Sequence, residues 1–134
     1  MRIEHIGLCI DHPISVAEWW VAHLGFHWIR KLGTDQEGAA FIGDGQGTVI
    51  EFGKLPEVPS LDMRKMEYIQ LHLALECTDT LAEARRLIAA GASWVGESPR
   101  NAYQNEKVIV RDPWGIVLQL INRQDKLSEE PSRP

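Results

Sequence analysis

The sequence predicts an α+β fold in which a strand-helix-strand-strand-strand unit occurs twice. Short apolar, β-branched stretches with one polar residue in the middle predict strands. Two stretches with apolar residues at helical spacing end at Gly25 and Gly91, and glycine is the usual residue after a helix. The same order of elements in both halves predicts two packed modules, because one such unit leaves a face of its sheet uncovered.

The first half of the chain is predicted to contain one helix and four strands. Side-chain alternation over residues 2–10 predicts the first strand, and Pro13 suits the first position of a helix over residues 13–24. Gly25 is the expected end of that helix. The remaining strands are predicted at residues 26–32, 39–42 and 48–53, with a tight turn at 44–47.

The order repeats after a linker that contains Pro56 and Pro59. A strand is predicted at residues 68–76, and Thr78 is the predicted N-cap of a helix over about 79–90. Further strands are predicted at 93–95, 107–111 and 116–121, with a turn at 112–115. The predicted organisation is one domain over residues 1–124, with module one at 1–54, the linker at 55–67, module two at 68–124 and a polar tail at 125–134.

An internal repeat relates the two halves. His5 and His72 are 67 residues apart, and Glu51 and Gln119 are 68 residues apart. Each of these polar residues stands within an apolar stretch that is predicted to be a strand. Taken singly, each has an ordinary structural explanation, but their equivalent positions in the repeat predict that all four meet at one site.

Composition limits the classes of function. The chain has 134 residues, of which 44% are hydrophobic and 25% charged, as expected for one globular domain. A net charge of −5 argues against a nucleic-acid surface, and no apolar run reaches membrane-spanning length. Cys9 and Cys77 form no disulfide framework, and the sequence starts with no signal-peptide pattern, so a cytoplasmic protein with reduced thiols is expected.

The four polar residues suit a metal ion. Two neutral imidazoles, His5 and His72, and one carboxylate, Glu51, are a common ligand set for a divalent cation. The side-chain oxygen of Gln119 could be a fourth, weaker ligand. Three strong protein ligands leave positions open for water or for a chelating substrate.

The chain resembles the vicinal oxygen chelate superfamily over residues 2–122. The resemblance rests on the motifs IEHIG at residues 3–7, LGF at 24–26 and DPWG at 112–115. This superfamily includes glyoxalase I, methylmalonyl-CoA epimerase, extradiol dioxygenases, fosfomycin-resistance enzymes and bleomycin-resistance proteins. The resemblance implies two βαβββ modules that form a cupped mixed β-sheet. It also implies metal ligands on the first and last strands of each module, which here are His5, Glu51, His72 and Gln119.

The ligand pattern is most similar to that of bacterial glyoxalase I-like proteins, which use His, Glu, His and Glu. Gln119 departs from it at the last position, where glyoxalase I has a catalytic base. Glu51 is then the only carboxylate of the site that can accept a proton, which suits a one-directional proton transfer. The resemblance implies one divalent metal ion, with nickel or zinc favoured and iron, cobalt and manganese open.

Three functions are compatible with this ligand set and this resemblance. The first is a metal-dependent lyase or isomerase of the lactoylglutathione lyase type, in which the metal chelates two neighbouring substrate oxygens and Glu51 moves the proton. The second is a metal-free, bleomycin-resistance-type binding protein, which would not need the ligand set. The third is an iron-dependent dioxygenase, although in the resembling dioxygenases the carboxylate stands at the position of Gln119.

A small-molecule substrate and a homodimer are the expected partners. The dimer is expected because the modules expose sheet edges and one helix face that carries Trp19 or Trp20, and because the resembling single-domain proteins are usually dimers. For the two indoles themselves core packing is favoured, and a position of one of them near a partner or a pocket rim is the alternative. Arg100, Lys107 and Arg111 could bind an anionic substrate or could be solvated, and no glutathione-binding set is evident. Cys9 is predicted to share the face of His5 and to line the cavity.

Overall fold

The computed structural model describes residues 1–98, 105–124 and 126–127, so Arg100 and most of the predicted tail lie outside the described residues. The elements in chain order are β1 (Ile6–Cys9), α1 (Pro13–His23), β2 (His27–Gly33), β3 (Gly38–Gly43), β4 (Val49–Lys54), a 3-10 turn (Met63–Lys65), β5 (Leu73–Glu76), α2 (Thr80–Ala89), β6 (Ser93–Ser98), β7 (Glu106–Arg111) and β8 (Val117–Asn122). The predicted strand-helix-strand-strand-strand order therefore occurs twice. Within the described residues, no helix has the length and apolarity needed to cross a membrane.

The chain divides into two compact units, Met1–Met63 and Arg64–Pro134. The first unit has a four-stranded mixed sheet in the order β1-β4-β3-β2, in which β1 runs parallel to β4 and the other pairs are antiparallel. The second unit repeats this topology in the order β5-β8-β7-β6. The α+β class and the two βαβββ modules are thus confirmed, and each module forms its own four-stranded sheet.

Helix α1 covers one face of the first sheet. Its indole Trp20 is fully buried and packs edge-on against Phe26 and Phe52, with ring centroids 5.2 and 5.1 Å away. Trp19 is also buried, at 9% exposure. The favoured prediction of core packing is therefore confirmed for both indoles, and the alternative of one indole at a partner or a pocket rim is not observed, because burial removes the apolar ring surface from water.

The start of α1 is capped from a distant loop. The helix begins at Pro13, and the preceding His12 has φ 58° and makes no side-chain cap. Asp35, in the loop between β2 and β3, instead accepts hydrogen bonds from the Ile14 and Ser15 amides at 2.8 and 3.0 Å and from the Ser15 hydroxyl. Burial raises the pKa of Asp35, but these hydrogen bonds outweigh it and hold the pKa below its ordinary value.

Helix α2 is capped by Asp79 rather than by the predicted Thr78. The Asp79 carboxylate accepts the Ala82 amide at 2.9 Å, which is the standard N-cap geometry, and the helix begins at Thr80. Asp79 competes successfully because a carboxylate also interacts favourably with the positive end of the helix dipole. The end of the helix agrees with the prediction, since Gly91 follows it with φ 107°.

The first strand of each module is shorter than predicted, so that His5 and His72 precede β1 and β5. Strand β1 pairs in parallel with β4, which begins only at Val49 after a turn over residues 44–48, so residues 2–4 extend beyond the start of that partner strand. In the second unit, residues 67–70 form a turn in which the Gln70 amide donates to the Glu67 carbonyl at 2.9 Å. The start of β1 is therefore set by where its partner strand begins, and the start of β5 is set by this turn. Side-chain alternation in the sequence indicates neither of them.

Candidate functional site

His5 and Glu51 lie side by side in the first unit. Glu51 is in the middle of β4, directly beside Gly7 of β1 in the sheet register. The Nε2 atom of His5 is 3.0 Å from Oε2 of Glu51, and its other ring nitrogen, Nδ1, contacts the Glu4 carboxylate. Hydrogen bonding to Glu4, and then the charges of Glu4 and Glu51, raise the pKa of His5 above its ordinary value.

Gly7 makes room for this pair. A side-chain carbon placed on Gly7 would lie 3.3 Å from Oε2 of Glu51, closer than most such contacts, so a larger residue would push the carboxylate aside. The ring of Phe41 closes the other side of His5, edge-on at a centroid distance of 5.7 Å. The space beside the imidazole that Gly7 leaves is occupied by the Glu51 carboxylate.

In the second unit, Tyr68 joins His72 to Gln119. The backbone carbonyl of Tyr68 accepts a hydrogen bond from Nδ1 of His72 at 3.0 Å, and the two rings stack with centroids 4.5 Å apart. The Tyr68 hydroxyl donates to Oε1 of Gln119 at 2.5 Å. Gln119 is on β8 and is only 4% exposed, so it is a polar group held inside the unit.

Sequence reasoning missed Tyr68. The alternation over residues 68–76 predicts one continuous strand, on which Tyr68 and His72 are only two positions of the same face. The sequence feature that could have indicated the contact is the spacing of four residues between Tyr68 and His72. A turn at residues 67–70 brings two residues at this spacing together. Glu4 is likewise missed, because alternation places it on the opposite face of a strand that in fact starts at Ile6.

Both histidines have Nδ1 engaged by an oxygen atom, from Glu4 at His5 and from Tyr68 at His72. A carboxylate or carbonyl acceptor at Nδ1 fixes the proton on that nitrogen and leaves the lone pair on Nε2, which is how metal-ligating histidines are normally oriented. In that tautomer of His5, the Nε2 lone pair faces the Glu51 carboxylate at 3.0 Å, an arrangement that needs a cation or a proton between the two groups.

The donor geometry of this pair fits a divalent metal ion. Two ligand atoms, each about 2.1 Å from one ion, lie roughly 3.0–3.4 Å apart at octahedral or tetrahedral angles. The observed separation of Nε2 and Oε2 is 3.0 Å. Imidazole nitrogen and carboxylate oxygen are also the donor types that zinc, nickel and iron accept.

Each unit thus assembles two of the four predicted ligands. Across the described ranges, no three His, Cys, Asp or Glu residues form a group that could hold a metal ion. His5 and Glu51 are in direct contact, and His72 and Gln119 are connected through Tyr68. The joining of both pairs around one ion remains a prediction.

An open cleft of about 540 Å³ in the first unit extends from Glu51. Cys9 lines it, as expected, together with Gly7 and Gly53 from the same sheet face. The remaining lining residues are Leu8, Leu32, Gly33, Glu37, Gly38, Ala39, Lys54, Leu55 and Val58. Its wall is mainly apolar, which is typical of a site for a small organic molecule.

The basic residues considered for an anionic substrate have other surroundings. Arg111 donates to the carbonyls of Gly115 at 2.9 Å and Met66 at 2.6 Å, so it ties the segment before β5 to the turn before β8. Lys107 lines a second cleft of about 370 Å³, which Glu97 and Glu106 also line. Arg111 therefore has a structural role, and Lys107 shares its cleft with acidic residues.

The sequence matches the family model of the glyoxalase-like domain over residues 7–121. No curated protein matches the chain by sequence.

Solved structures share the fold at low sequence identity. A glyoxalase family protein from Bacillus cereus is 17% identical, with a TM-score of 0.74 over 92% of this chain and 94% of that protein. A mutant of glyoxalase I from Zea mays is 20% identical, with a TM-score of 0.71 over 92% of this chain and 46% of that one. A mutant fosfomycin resistance protein from Listeria monocytogenes, complexed with Mn(II) and dihydroxypropylphosphonic acid, is 16% identical, with a TM-score of 0.69 over 89% of this chain and 87% of that one.

Proposed function

The chain belongs to the glyoxalase-like domain family, within the vicinal oxygen chelate superfamily, and from this premise we propose that it is a metal-dependent, glyoxalase I-like lyase or isomerase. Its substrate is a small molecule with two neighbouring oxygen atoms. The metal ligands are His5, Glu51, His72 and Gln119, and Glu51 is the catalytic base.

The observation that carries this proposal is the contact between His5 and Glu51. Nε2 and Oε2 face each other at 3.0 Å, with Nδ1 already engaged by Glu4. A histidine with a purely structural role would not need its second nitrogen opposite a carboxylate that lines a cleft. The fosfomycin resistance protein from Listeria is complexed with Mn(II), which supports the same class of metal chemistry on this fold.

The residues of the chain divide the chemical work between them. A divalent cation in this ligand set would supply Lewis-acid polarisation of the substrate oxygens and so acidify the neighbouring carbon. Oε2 of Glu51 faces His5, while Oε1 lies towards Gly53 in the cleft wall, and we assign to Oε1 the acceptance of the carbon-bound proton. Gln119 cannot accept a proton as a base at neutral pH, so Glu51 must both take the proton and return it.

A metal-free binding protein of the bleomycin-resistance type is the second candidate. The mainly apolar wall of the cleft favours it. In such a protein His5 would donate hydrogen bonds to Glu4 and Glu51, whose carboxylates its two ring nitrogens face, and the cleft would sequester an apolar ligand without turnover.

Calorimetric titration of chelator-treated protein with nickel or zinc separates the two candidates. We expect one site per chain. His5→Ala and His72→Ala should each weaken binding by at least tenfold, because each removes a strong ligand. His27→Ala is the control, since His27 is an exposed histidine of the same unit as His5. No binding by the unmodified protein, or equal effects of all three changes, would favour the binding protein.

Turnover of the metal-loaded Glu51→Gln protein tests the assigned base. Glutamine keeps a ligating oxygen but cannot accept the proton, so turnover of a 2-oxoaldehyde hemithioacetal should fall by orders of magnitude while some metal is retained. Gln119→Glu should raise turnover, because it adds a second carboxylate. Unchanged turnover by Glu51→Gln at full metal loading would leave Glu51 as a ligand only.

A further inference from the structure

The cleft next to Glu51 has an uneven charge distribution. Among the described residues that line it, Lys54 is the only cation, and Glu37 and Glu51 are both carboxylates. Nζ of Lys54 is 2.6 Å from Oδ1 of Asp11 and 3.0 Å from Oγ of Ser60. The positive charge is therefore already balanced by Asp11, and the described lining presents no unpaired cation to a ligand.

The rest of the wall is apolar and lacks directional polar groups. Leu32, Leu55 and Val58 are large hydrophobic residues that remain 52%, 54% and 43% exposed, so their side chains are available to a ligand. Further glycines of the lining add flat backbone to the same surface. A ligand on this wall gains by burying apolar area, at about 25 cal/mol per Å², and an anionic group there would be desolvated with no partner.

We propose that the substrate part that lies along this cleft, away from the two metal-binding oxygens, is uncharged and apolar. This inference rests on the proposed function, because it uses Glu51 to fix the reacting end of the molecule. It distinguishes this protein from the Listeria neighbour, whose structure contains a phosphonic acid. The substrate class is a neutral, aryl- or alkyl-bearing α-hydroxycarbonyl compound or its equivalent, rather than an anionic thiol conjugate.

Two matched compounds test the charge preference. 2-Hydroxyacetophenone and 4-(2-hydroxyacetyl)benzoate have the same pair of oxygens and the same ring, and differ only in a carboxylate on the far side of the ring. Binding is measured by ligand-observed NMR titration, with metal-free and with zinc-loaded protein. We expect the neutral compound to bind at least fivefold more tightly in both forms. Equal or tighter binding of the carboxylate, or no binding of the neutral compound, would overturn the inference.

Introduced lysines provide the second measurement. Leu55→Lys and Val58→Lys each place a cation in the cleft wall and should reverse or abolish the preference, with the carboxylate gaining about threefold to tenfold. Leu61→Lys is the matched control, because Leu61 is 40% exposed and does not line the cleft. The two wall positions are well exposed, so either variant alone suffices if the other fails to fold. If Leu61→Lys changes the ratio of the two binding affinities as much as the wall variants do, the inference is also overturned.

Failure of this inference and failure of the proposed function give different results. If no metal binds but the neutral compound is preferred by the metal-free protein, the catalytic proposal fails and the cleft remains an apolar ligand site. If metal binds with the predicted dependence on His5 but the two compounds bind equally, the metal site stands and the apolar specificity is wrong.

Discussion

At the scale of single residues, Tyr68 does the most to organise the second unit around its candidate ligands. Its carbonyl holds Nδ1 of His72, its ring stacks on the imidazole, and its hydroxyl holds the buried Gln119 amide. Glu4 has the corresponding role at His5, through its carboxylate. Acceptors of this kind orient metal-binding histidines and are worth about tenfold to hundredfold in metal affinity or activity.

Tyr68→Phe isolates the hydroxyl, because it keeps the ring stacking and the backbone carbonyl. We expect metal affinity to fall about tenfold, since Oε1 of Gln119 loses its donor and the amide loses its fixed orientation. Tyr68→Ala should weaken binding further by releasing His72 from the stack. Calorimetry measures both, with thermal unfolding to confirm the fold. Metal affinity unchanged in both variants would show that Tyr68 only supports packing.

At the scale of elements, the two helices start by different means. Helix α2 is capped locally by Asp79, whereas α1 relies on Asp35, some twenty residues further along the chain. The local cap lies one residue from the position that the sequence pattern indicates. The distant cap has no local signature, because it depends on how the loop between β2 and β3 folds back over the helix. Distant caps of this kind link helix formation to sheet formation.

Asp35 should make the stability of the first unit depend on pH. Its pKa is lower in the folded protein than its ordinary value. Its contribution is therefore fully present above about pH 4, the unfolded value, and is lost as the pH falls through the folded pKa. We expect Asp35→Asn to reduce the free energy of unfolding by about 1 kcal/mol at pH 7 and by less at pH 3. Chemical denaturation at both pH values measures this.

Glu57→Gln is the control for that comparison, because Glu57 is an exposed acid of the same unit. It should change the free energy of unfolding by less than about 0.5 kcal/mol at either pH. A loss in Asp35→Asn that is the same at pH 7 and pH 3 would mean that the carboxylate charge does not contribute to the cap.

At the scale of the whole molecule, the sequence predicts the order of elements and the two modules well, and the contacts within them less well. Gly25 and Gly91 mark the helix ends because a positive φ is a local requirement. The pairing of Glu51 with His5 follows from the repeat and the parallel β1–β4 register. The contact of Tyr68 with Gln119 spans 51 residues and depends on a turn, so alternation could not reveal it. The ligand role of the four residues remains a prediction.

The last prediction concerns the assembly, for which a homodimer is expected. The tryptophan argument for it is lost, because both indoles are buried, but the sheet edges remain. Edge strand β2 exposes Ile29 but also the charged Arg30 and Lys31, whereas edge strand β6 exposes Trp94 and Val95 next to each other. Exposed apolar edge strands favour pairing with another chain unless they are covered or charged.

Light scattering at micromolar concentration should therefore give twice the chain mass of 15.2 kDa. Ile29→Lys and Val95→Lys place a charge on β2 and on β6 respectively, and the variant that shifts the mass towards the monomer identifies the edge that pairs. Ile88→Lys, on an exposed position of α2, should leave the mass unchanged. A single-chain mass for the unmodified protein would exclude the dimer. In that case all four ligands would have to come from one chain, and the metal titration would have to show one ion per chain.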